Sequence, residues 1–437
     1  MKAGRVLIVL MFIIGIVGVL VNGAPLYSRF LYFSILLAFI AWAWTRWLAR
    51  NISLSRTTRE LRANVGDVFE ENYKISNNSR MPVPWLEIIN QTKLPFAAGS
   101  RLLTLIFGNQ NRTYNARTWL TQRGSFQLGP TLINIGDPFG IFTTQKILPA
   151  QETLIVFPMI QAIQFFPSSP GLLPGGHVIQ RKSHDITPHA AGVREYVHGD
   201  AMKRIHWRSS IRRDKLMVKE FEQDPQAEVW IYLDSHKTVH YQKPHIVDES
   251  PLQTILFVRR PKLKLPPSTL EYSVSIAASL AHYFIRQRRA VGYASAGQTY
   301  TVLPADRSER QEAKILETLA FVQANGELSI AGLVSMQAMQ LPRRSTVILI
   351  TSTTQNNLLQ AVDDLLLRSL YPVVVLLDAH TFDGPSGTEK LISALRERHV
   401  PVCNIACDAD LSTALSGIQT TFKTQELRSW QTPILSQ

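Results

Sequence analysis

The chain has 437 residues, 45% of them hydrophobic, with 46 Lys and Arg against 33 Asp and Glu, a formal net charge of +13. That length exceeds one ordinary core, so two or three domains are expected. The charge draws the chain towards polyanions without choosing among anionic lipid, nucleic acid and an acidic protein. Two cysteines, Cys403 and Cys407, are too few for a disulfide scaffold. A CxxxC pair with no His or further Cys beside it is a poor metal site, and buried free thiols are the simpler reading.

At the N-terminus, Val6 to Val21 is an uncharged apolar run, broken by Asn22-Gly23-Ala24-Pro25 and followed by a second run from Phe30 to Trp44. Each run is about 16 residues, a little under the ~20 of a usual span. Trp42, Trp44 and Trp47 close the second run, as suits a membrane interface. No small-residue cleavage site stands out, so the segment is expected to be a membrane hairpin over residues 1–50 rather than a removed leader. Lys2 and Arg5 precede it, and Arg46, Arg50, Arg56, Arg59 and Arg62 follow it, with only Arg29 near the turn. Positive residues at both ends place both in the cytoplasm. The expectation is a two-span protein of the inner (plasma) membrane with cytoplasmic soluble domains.

Residues 51–165 read as a β domain. Phe69 to Ile75, Trp85 to Ile89, Arg101 to Phe107, Thr113 to Leu120 and Leu154 to Phe157 are short runs rich in β-branched and aromatic residues. Turns of Gly, Pro and Asn separate them, which predicts a small antiparallel sandwich. Gly136-Asp137-Pro138-Phe139-Gly140 reads as a structural tight turn.

Residues 166–222 begin with a linker, PSSPGLLPGG, and end with the basic segment Arg194 to Glu222. Tyr196, Trp207 and Phe221 and the alternating end Leu216 to Phe221 mark that segment as folded, not as a basic tail. Gly199-Asp200 reads as a helix start, with Asp200 the N-cap of Ala201 to Trp207. Arg204 and Arg208, four apart, share a face. Three readings stand. Asp200 caps, Trp207 is core and the arginines pair with acidic residues as an internal clamp; or the arginines form a docking face for an acidic partner; or they contact nucleic-acid phosphates. No nucleic-acid-binding fold is visible and a membrane tether disfavours the third.

Residues 223–437 change period. Strands are predicted at Glu228 to Leu233, Ala290 to Ser295 with a hairpin partner at Thr299 to Leu303, Ser345 to Thr351, Pro372 to Leu377 and Val402 to Ile405. Helices are predicted at Leu270 to Arg288, Glu309 to Gln323, Leu358 to Leu370 and Glu389 to Arg398. Alternating apolar strands and amphipathic helices mean a parallel, doubly wound α/β sheet. His236 to Pro267 is an insertion in it.

Ligands of such sheets bind at the carboxyl ends of strands, and the first such end is Leu233-Asp234-Ser235-His236-Lys237-Thr238. A von Willebrand factor A domain carries Asp-x-Ser-x-Ser at this place and holds Mg²⁺ there. Here the run offers Asp234, His236 and Thr238. His236 prefers transition metals, and Thr351 and Ser352 stand where the family's second Asp would follow. A degenerate Mg²⁺ site is therefore disfavoured and no cofactor is expected. No nucleophile triad, phosphate-binding glycine loop or HExxH occurs, so the chain is expected not to be an enzyme.

The segment as a whole resembles the domain of unknown function 58 family of bacterial membrane-associated proteins. The resemblance rests on Arg194, Tyr196, Gly199, Asp200, Lys203, Arg204, Ile205 and Trp207, then Lys215, Leu216, Val218, Lys219, Glu220, Phe221 and Glu222. Arg123-Gly124, Phe126, Leu128-Gly129-Pro130, Asp137 to Phe142 and Val156-Phe157-Pro158 resemble the family's β-domain signature. The resemblance implies a von Willebrand factor A-like domain after the hallmark. It also implies protein partners, with a MoxR-type AAA+ ATPase among them, in envelope assembly or maturation. Arg194, Tyr196, Gly199, Asp200, Arg204, Trp207, Arg208, Lys219 and Glu220 are the expected binding residues. The expected function is a membrane-anchored, non-enzymatic adaptor. A metal-dependent hydrolase using Asp234 and His236, and a polyanion-binding protein, are the alternatives.

Overall fold

The structure, a computed structural model, describes residues 2–167, 190–197, 202, 205–221, 228–244 and 264–417. The chain forms two compact units, the bulk of one being Met1–Ile160 and of the other Gln161–Gln242, Ser268–Glu312 and Gln323–Gln437.

The first unit opens with α1 (Lys2–Asn22) and α2 (Pro25–Asn51), packed as a hairpin. Pro25 starts α2 where a missing amide proton costs nothing. Their spans have mean hydropathy 2.7 and 1.6 and are only 6% and 11% buried, so apolar surface faces outward nearly all round. These two helices are long and apolar enough to cross a membrane.

Strand β1 (Ile52–Thr58) follows α2 without a linker, and β2 is Arg62–Asn64. β3 (Val68–Asn77) alternates, burying Phe69, Glu71, Tyr73, Ile75 and Asn77, as a strand with one wet face must. The rest are β4 (Val83–Asn90), β5 (Arg101–Ile106), β6 (Asn111–Trp119), β7 (Gly124–Leu128), β8 (Thr131–Gly136), β9 (Thr143–Leu148) and β10 (Glu152–Phe157). Sheet β1-β3-β6 contributes Leu54, Tyr73, Ile75 and Ala116 to a core shared with Val83, Leu86, Ile88, Ile106, Ile133 and Ile135 of sheet β5-β4-β8-β9. Leu48 of α2 and Ile52 belong to that core. A third sheet, β2-β10-β7, has its own core around Phe69, Leu120, Leu154 and Val156. The expectation of antiparallel pairing holds except at β10–β2, which is parallel. Sequence reading passed over β1, β2 and β7 to β9.

One end of the sandwich is set by connectivity. β1 leaves the end of α2, β3 returns antiparallel to it, and β6 leaves again. β4, β5 and β8 alternate in the same way, with Val83 opposite Ile106 and Trp85 opposite Gly136. The loops at 78–82, 107–110 and 137–142 therefore gather at the α2 end. The Asn78 amide donates to the Asn51 carbonyl at 3.0 Å, and Lys146 Nζ to the Ile52 carbonyl at 2.9 Å. Arg5 Nε of α1 donates to the Ile141 carbonyl at 2.6 Å.

In the second unit, β11 (Ala190–Glu195) and β12 (Met217–Phe221) pair antiparallel around α3 (Trp207–Arg213). The α/β part comprises β13 (Val229–Leu233), α4 (Thr269–Arg286), β14 (Val291–Ala296), β15 (Tyr300–Asp306), α5 (Glu309–Phe321), α6 (Ile330–Gln337), β16 (Thr346–Thr351), α7 (Asn357–Leu367), β17 (Tyr371–Leu377), α8 (Thr388–Glu397), β18 (Val402–Ile405) and α9 (Leu411–Ser416). The sheet order is β15-β14-β13-β16-β17-β18. β13, β14 and β16 to β18 run parallel, and β15 is antiparallel at the edge, so the sheet is mixed and not wholly parallel. Every residue of β13, β14 and β16 is buried, which is why these strands read as unbroken apolar or small-residue runs. Helices α6 and α9, both short, were not anticipated.

Candidate functional site

The described hallmark residues fall on or beside β11, α3 and β12. Arg194 pairs with Val218, Val193 with Lys219 and Gly192 with Glu220 in the two-stranded ladder. The Tyr196 amide donates to the Leu216 carbonyl at 2.8 Å. Gly199, Asp200, Lys203, Arg204 and Glu222 lie outside the described residues.

The expected cap at Asp200 and part of the expected helix over Ala201 to Trp207 lie outside the described residues; α3 begins at Trp207, with His206 as its N-cap. Ile205 bridges to Val218 just before it, both buried. His206 Nδ1 accepts the Ser209 amide at 3.2 Å and lies 2.7 Å from the Ser209 hydroxyl. Asp214 ends the helix with φ 50°, a left-handed position that short polar residues tolerate. Only Asp214, Lys215 and Leu216 separate the helix from β12, so its inner face lies close to the strand. Ser210 is on that face: its hydroxyl accepts the Met217 amide at 2.8 Å and donates to the His206 carbonyl at 3.1 Å.

Trp207, expected as core in the clamp reading, is instead 61% exposed. Ile211, one turn on, is 81% exposed, so the two form an outward apolar row at i, i+4 spacing. Arg208 and Arg212 form the adjoining row, also exposed. Among the described residues no ion pair involves Arg208, Arg212 or Arg213. The Lys215–Glu195 pair at 3.0 Å is exposed on both sides and contributes little. Sequence reading missed His206, Ser210 and Ile211; the Ile-Arg-Arg following Trp-Arg was the available signal.

At the carboxyl end of β13, Asp234 is buried and its amide donates to the Ile350 carbonyl at 3.0 Å. Asp234 Oδ2 accepts the Thr351 hydroxyl at 2.6 Å, and Oδ1 accepts the His236 amide at 3.1 Å. Burial pushes this carboxyl above the ordinary aspartate range, against the opposing pull of the Thr351 hydrogen bond. The His236 ring instead turns to Thr238, Nδ1 to Oγ1 at 2.8 Å, out at the surface. The structure thus brings the Thr351 hydroxyl and the His236 amide to the Asp234 carboxylate, while the His236 ring and the Thr238 hydroxyl bond each other. Among the described residues no group of three or more His, Cys, Asp and Glu side chains is placed to hold a metal ion. His240, unremarked in the sequence, lies with Nε2 3.0 Å from the Asp234 carbonyl and Nδ1 3.2 Å from the Thr269 hydroxyl. The Ser352 hydroxyl donates to the Val239 carbonyl, so the loop after β13 is held over the strand ends. Cys403 is buried, which raises its thiol to about 12, and it contacts the Ala414 carbonyl.

Residues 192–251 match the family model described as "Protein of unknown function DUF58", which bears out the resemblance read from the hallmark. A Bacillus subtilis (strain 168) protein, "Uncharacterized protein YeaD", is 20% identical over 287 residues, covering 63% of this chain and 64% of its own length. The chain therefore spans just under two-thirds of that relative. Among solved structures, the CARDB domain of a Pyrococcus furiosus protein in complex with di-metal ions is 9% identical with a TM-score of 0.17 over 24% of this chain and 91% of its own. The cupredoxin domain of amoB from Nitrosocaldus yellowstonii is 10% identical with a TM-score of 0.18 over 24% and 87%. Likenesses this low carry no argument.

Proposed function

From its place in the domain of unknown function 58 family, we propose that this chain is a membrane-anchored, non-enzymatic adaptor that docks an acidic protein partner on the outer face of α3. One observation carries the reading. Trp207 and Ile211 stand exposed beside Arg208 and Arg212, on a helix pinned from behind by Ser210 and His206. Trp and Arg dominate interface hot spots, and a surface held rigid before binding loses little entropy on docking. The family resemblance makes a MoxR-type AAA+ ATPase the partner to try first.

Anchoring is supported by α1 and α2, whose outward apolar surface needs lipid to cover it. Basic residues at the outer ends of both helices support an orientation with the two ends on the cytoplasmic side. The sheet order, with its reversal of winding between β13 and β16, supports a von Willebrand factor A-like reading of the α/β part. In that reading the Asp234–Thr351 bond stands in place of a metal site.

The test is a photo-crosslinker at Ile211 in the full chain, presented in membranes to a purified MoxR-type ATPase. A crosslink is expected, and Arg208→Glu with Arg212→Glu should weaken it at least about tenfold, the equivalent of ~1.4 kcal/mol. No crosslink, or one indifferent to the charge reversal, overturns the proposal. Salt-sensitive DNA binding lost in the same variant would support the polyanion alternative instead.

A further inference from the structure

The loop end of the sandwich that faces α2 carries apolar side chains that no core explains. Seven large hydrophobics are exposed between residues 52 and 160: Leu61, Met81, Leu102, Leu105, Phe107, Phe139 and Ile147. Four of them, Met81, Leu105, Phe107 and Phe139, sit on or beside the three loops at the α2 end, whereas Leu61 alone lies in a loop at the other. Phe107 is 57% and Phe139 54% exposed. Leu105 holds φ 52°, a strained conformation for a bulky residue, while remaining 55% exposed.

The helices fix where this end lies. Asn51, whose carbonyl takes the Asn78 amide, is four residues past Trp47, or about 6 Å of helix. Trp42 and Trp47 are 51% and 56% exposed, as interfacial aromatics are. The headgroup layer on each side of a ~30 Å apolar core is about 5–8 Å deep. A loop joined to Asn51 therefore lies within it. On the other helix, Arg5 at the start of the apolar span holds the turn that presents Phe139. That turn is rigid: Asp137, fully buried, accepts the Phe139 amide at 2.7 Å and the Phe142 amide at 2.5 Å. Arg46, Arg50 and Arg80, all exposed, add positive charge at the same level.

We propose that this end of the sandwich is seated in the headgroup layer of an anionic bilayer, with Phe107 and Phe139 inserted below the phosphates and Arg46, Arg50 and Arg80 among them. The sandwich then stands fixed on the membrane surface. The proposal rests on the anchoring reading above, and the experiment separates the two.

Single cysteines carrying an environment-sensitive fluorophore would be placed by Phe107→Cys, Phe139→Cys, Leu61→Cys and Leu36→Cys in a full chain with Cys403→Ala and Cys407→Ser. The protein would be reconstituted in phosphatidylcholine–phosphatidylglycerol vesicles holding spin-labelled lipid at shallow or deep positions. Labels at 107 and 139 should lose most of their emission to the shallow quencher, the label at 61 should keep its own, and the label at 36 should respond to the deep quencher. A quenched 36 with 107 and 139 as bright as 61 overturns the seating and leaves the anchor standing. An unquenched 36 overturns the anchor and the seating together. Quenching at 107 and 139 that does not weaken when phosphatidylglycerol is omitted overturns the anionic part.

Discussion

Asp234→Asn distinguishes a carboxylate held by the fold from one kept for a cation. Asp234 is 2% exposed, and its carboxylate accepts from the Thr351 hydroxyl at 2.6 Å and the His236 amide at 3.1 Å. Burial raises its pKa above the unfolded value of 3.8, so the native state binds the proton more tightly than the unfolded chain. Its contribution to stability is then fully present below the unfolded pKa and is lost as pH rises through the folded one, at about 1.4 kcal/mol for each pH unit separating the two pKa values. Asparagine removes the charge and keeps one acceptor, at the loss of one hydrogen bond worth about 1 kcal/mol. The variant should therefore be less stable than the parent by about that amount below the unfolded pKa, then gain on it as pH rises until the folded pKa is passed. Because a multidomain chain has no single unfolding free energy, the measurement is hydrogen exchange in peptides from β13 and β16, in the full chain in detergent, across that range. A difference that runs the other way, with the parent gaining on the variant as pH rises, would mean a depressed carboxylate paired with a cation. That result, above all if Mg²⁺ magnified it, would refute the reasoning and revive the metal-dependent alternative.

Two further substitutions probe packing. Leu48→Ala, although within α2, empties part of the sandwich core and should cost about 2–5 kcal/mol there, read as faster exchange in β3 and β4. Leu36→Ala, 57% exposed on the same helix, should leave those strands unchanged, and equal behaviour of the two would contradict the packing of α2 into the sandwich. Ser210→Ala strips the Met217 amide of its acceptor, at about 1–3 kcal/mol, and should speed exchange at Met217 roughly 5- to 150-fold; an unchanged rate would show that α3 is not held from Ser210.

The α/β part was the most legible from sequence because its central strands are covered on both faces. Val229 to Leu233 and Thr346 to Thr351 carry that pattern without interruption. α9 spans six residues and α6 eight, too short for a helical period to accumulate. In the sandwich, β3 announced itself by alternation. β9, none of whose residues is buried, had no apolar face to show. The hallmark was legible as a folded basic segment but not in its phase. Whether Trp207 or Ser210 faces inward depends on how closely the helix returns to β12, and that is set by a three-residue connection and a tertiary hydrogen bond. Composition favours Trp as core, and here that geometry overrules it. The partner of Asp234 was hidden for a similar reason, since Thr351 is 117 residues away and only the parallel register of β13 on β16 brings the two together.

The join between α2 and β1 argues for a mechanical role for the first unit. Composition changes sharply at Asn51, yet packing does not: Leu48, Ile52 and Leu54 lie in one core, with Trp44 and Ala49 packed against it. A flexible tether would place Gly, Ser or Pro here and leave the strand free to reorient. Instead the helix backbone passes directly into the strand, hydrogen bonds from Asn78 and Arg5 tie the loop end to the two helices, and Lys146 bonds the first residue of β1. A tilt of the hairpin must therefore carry the sandwich with it. Side chains exposed on the sandwich are held at a set height above the apolar spans, and a surface so held needs no search through conformations before it meets whatever lies in that plane.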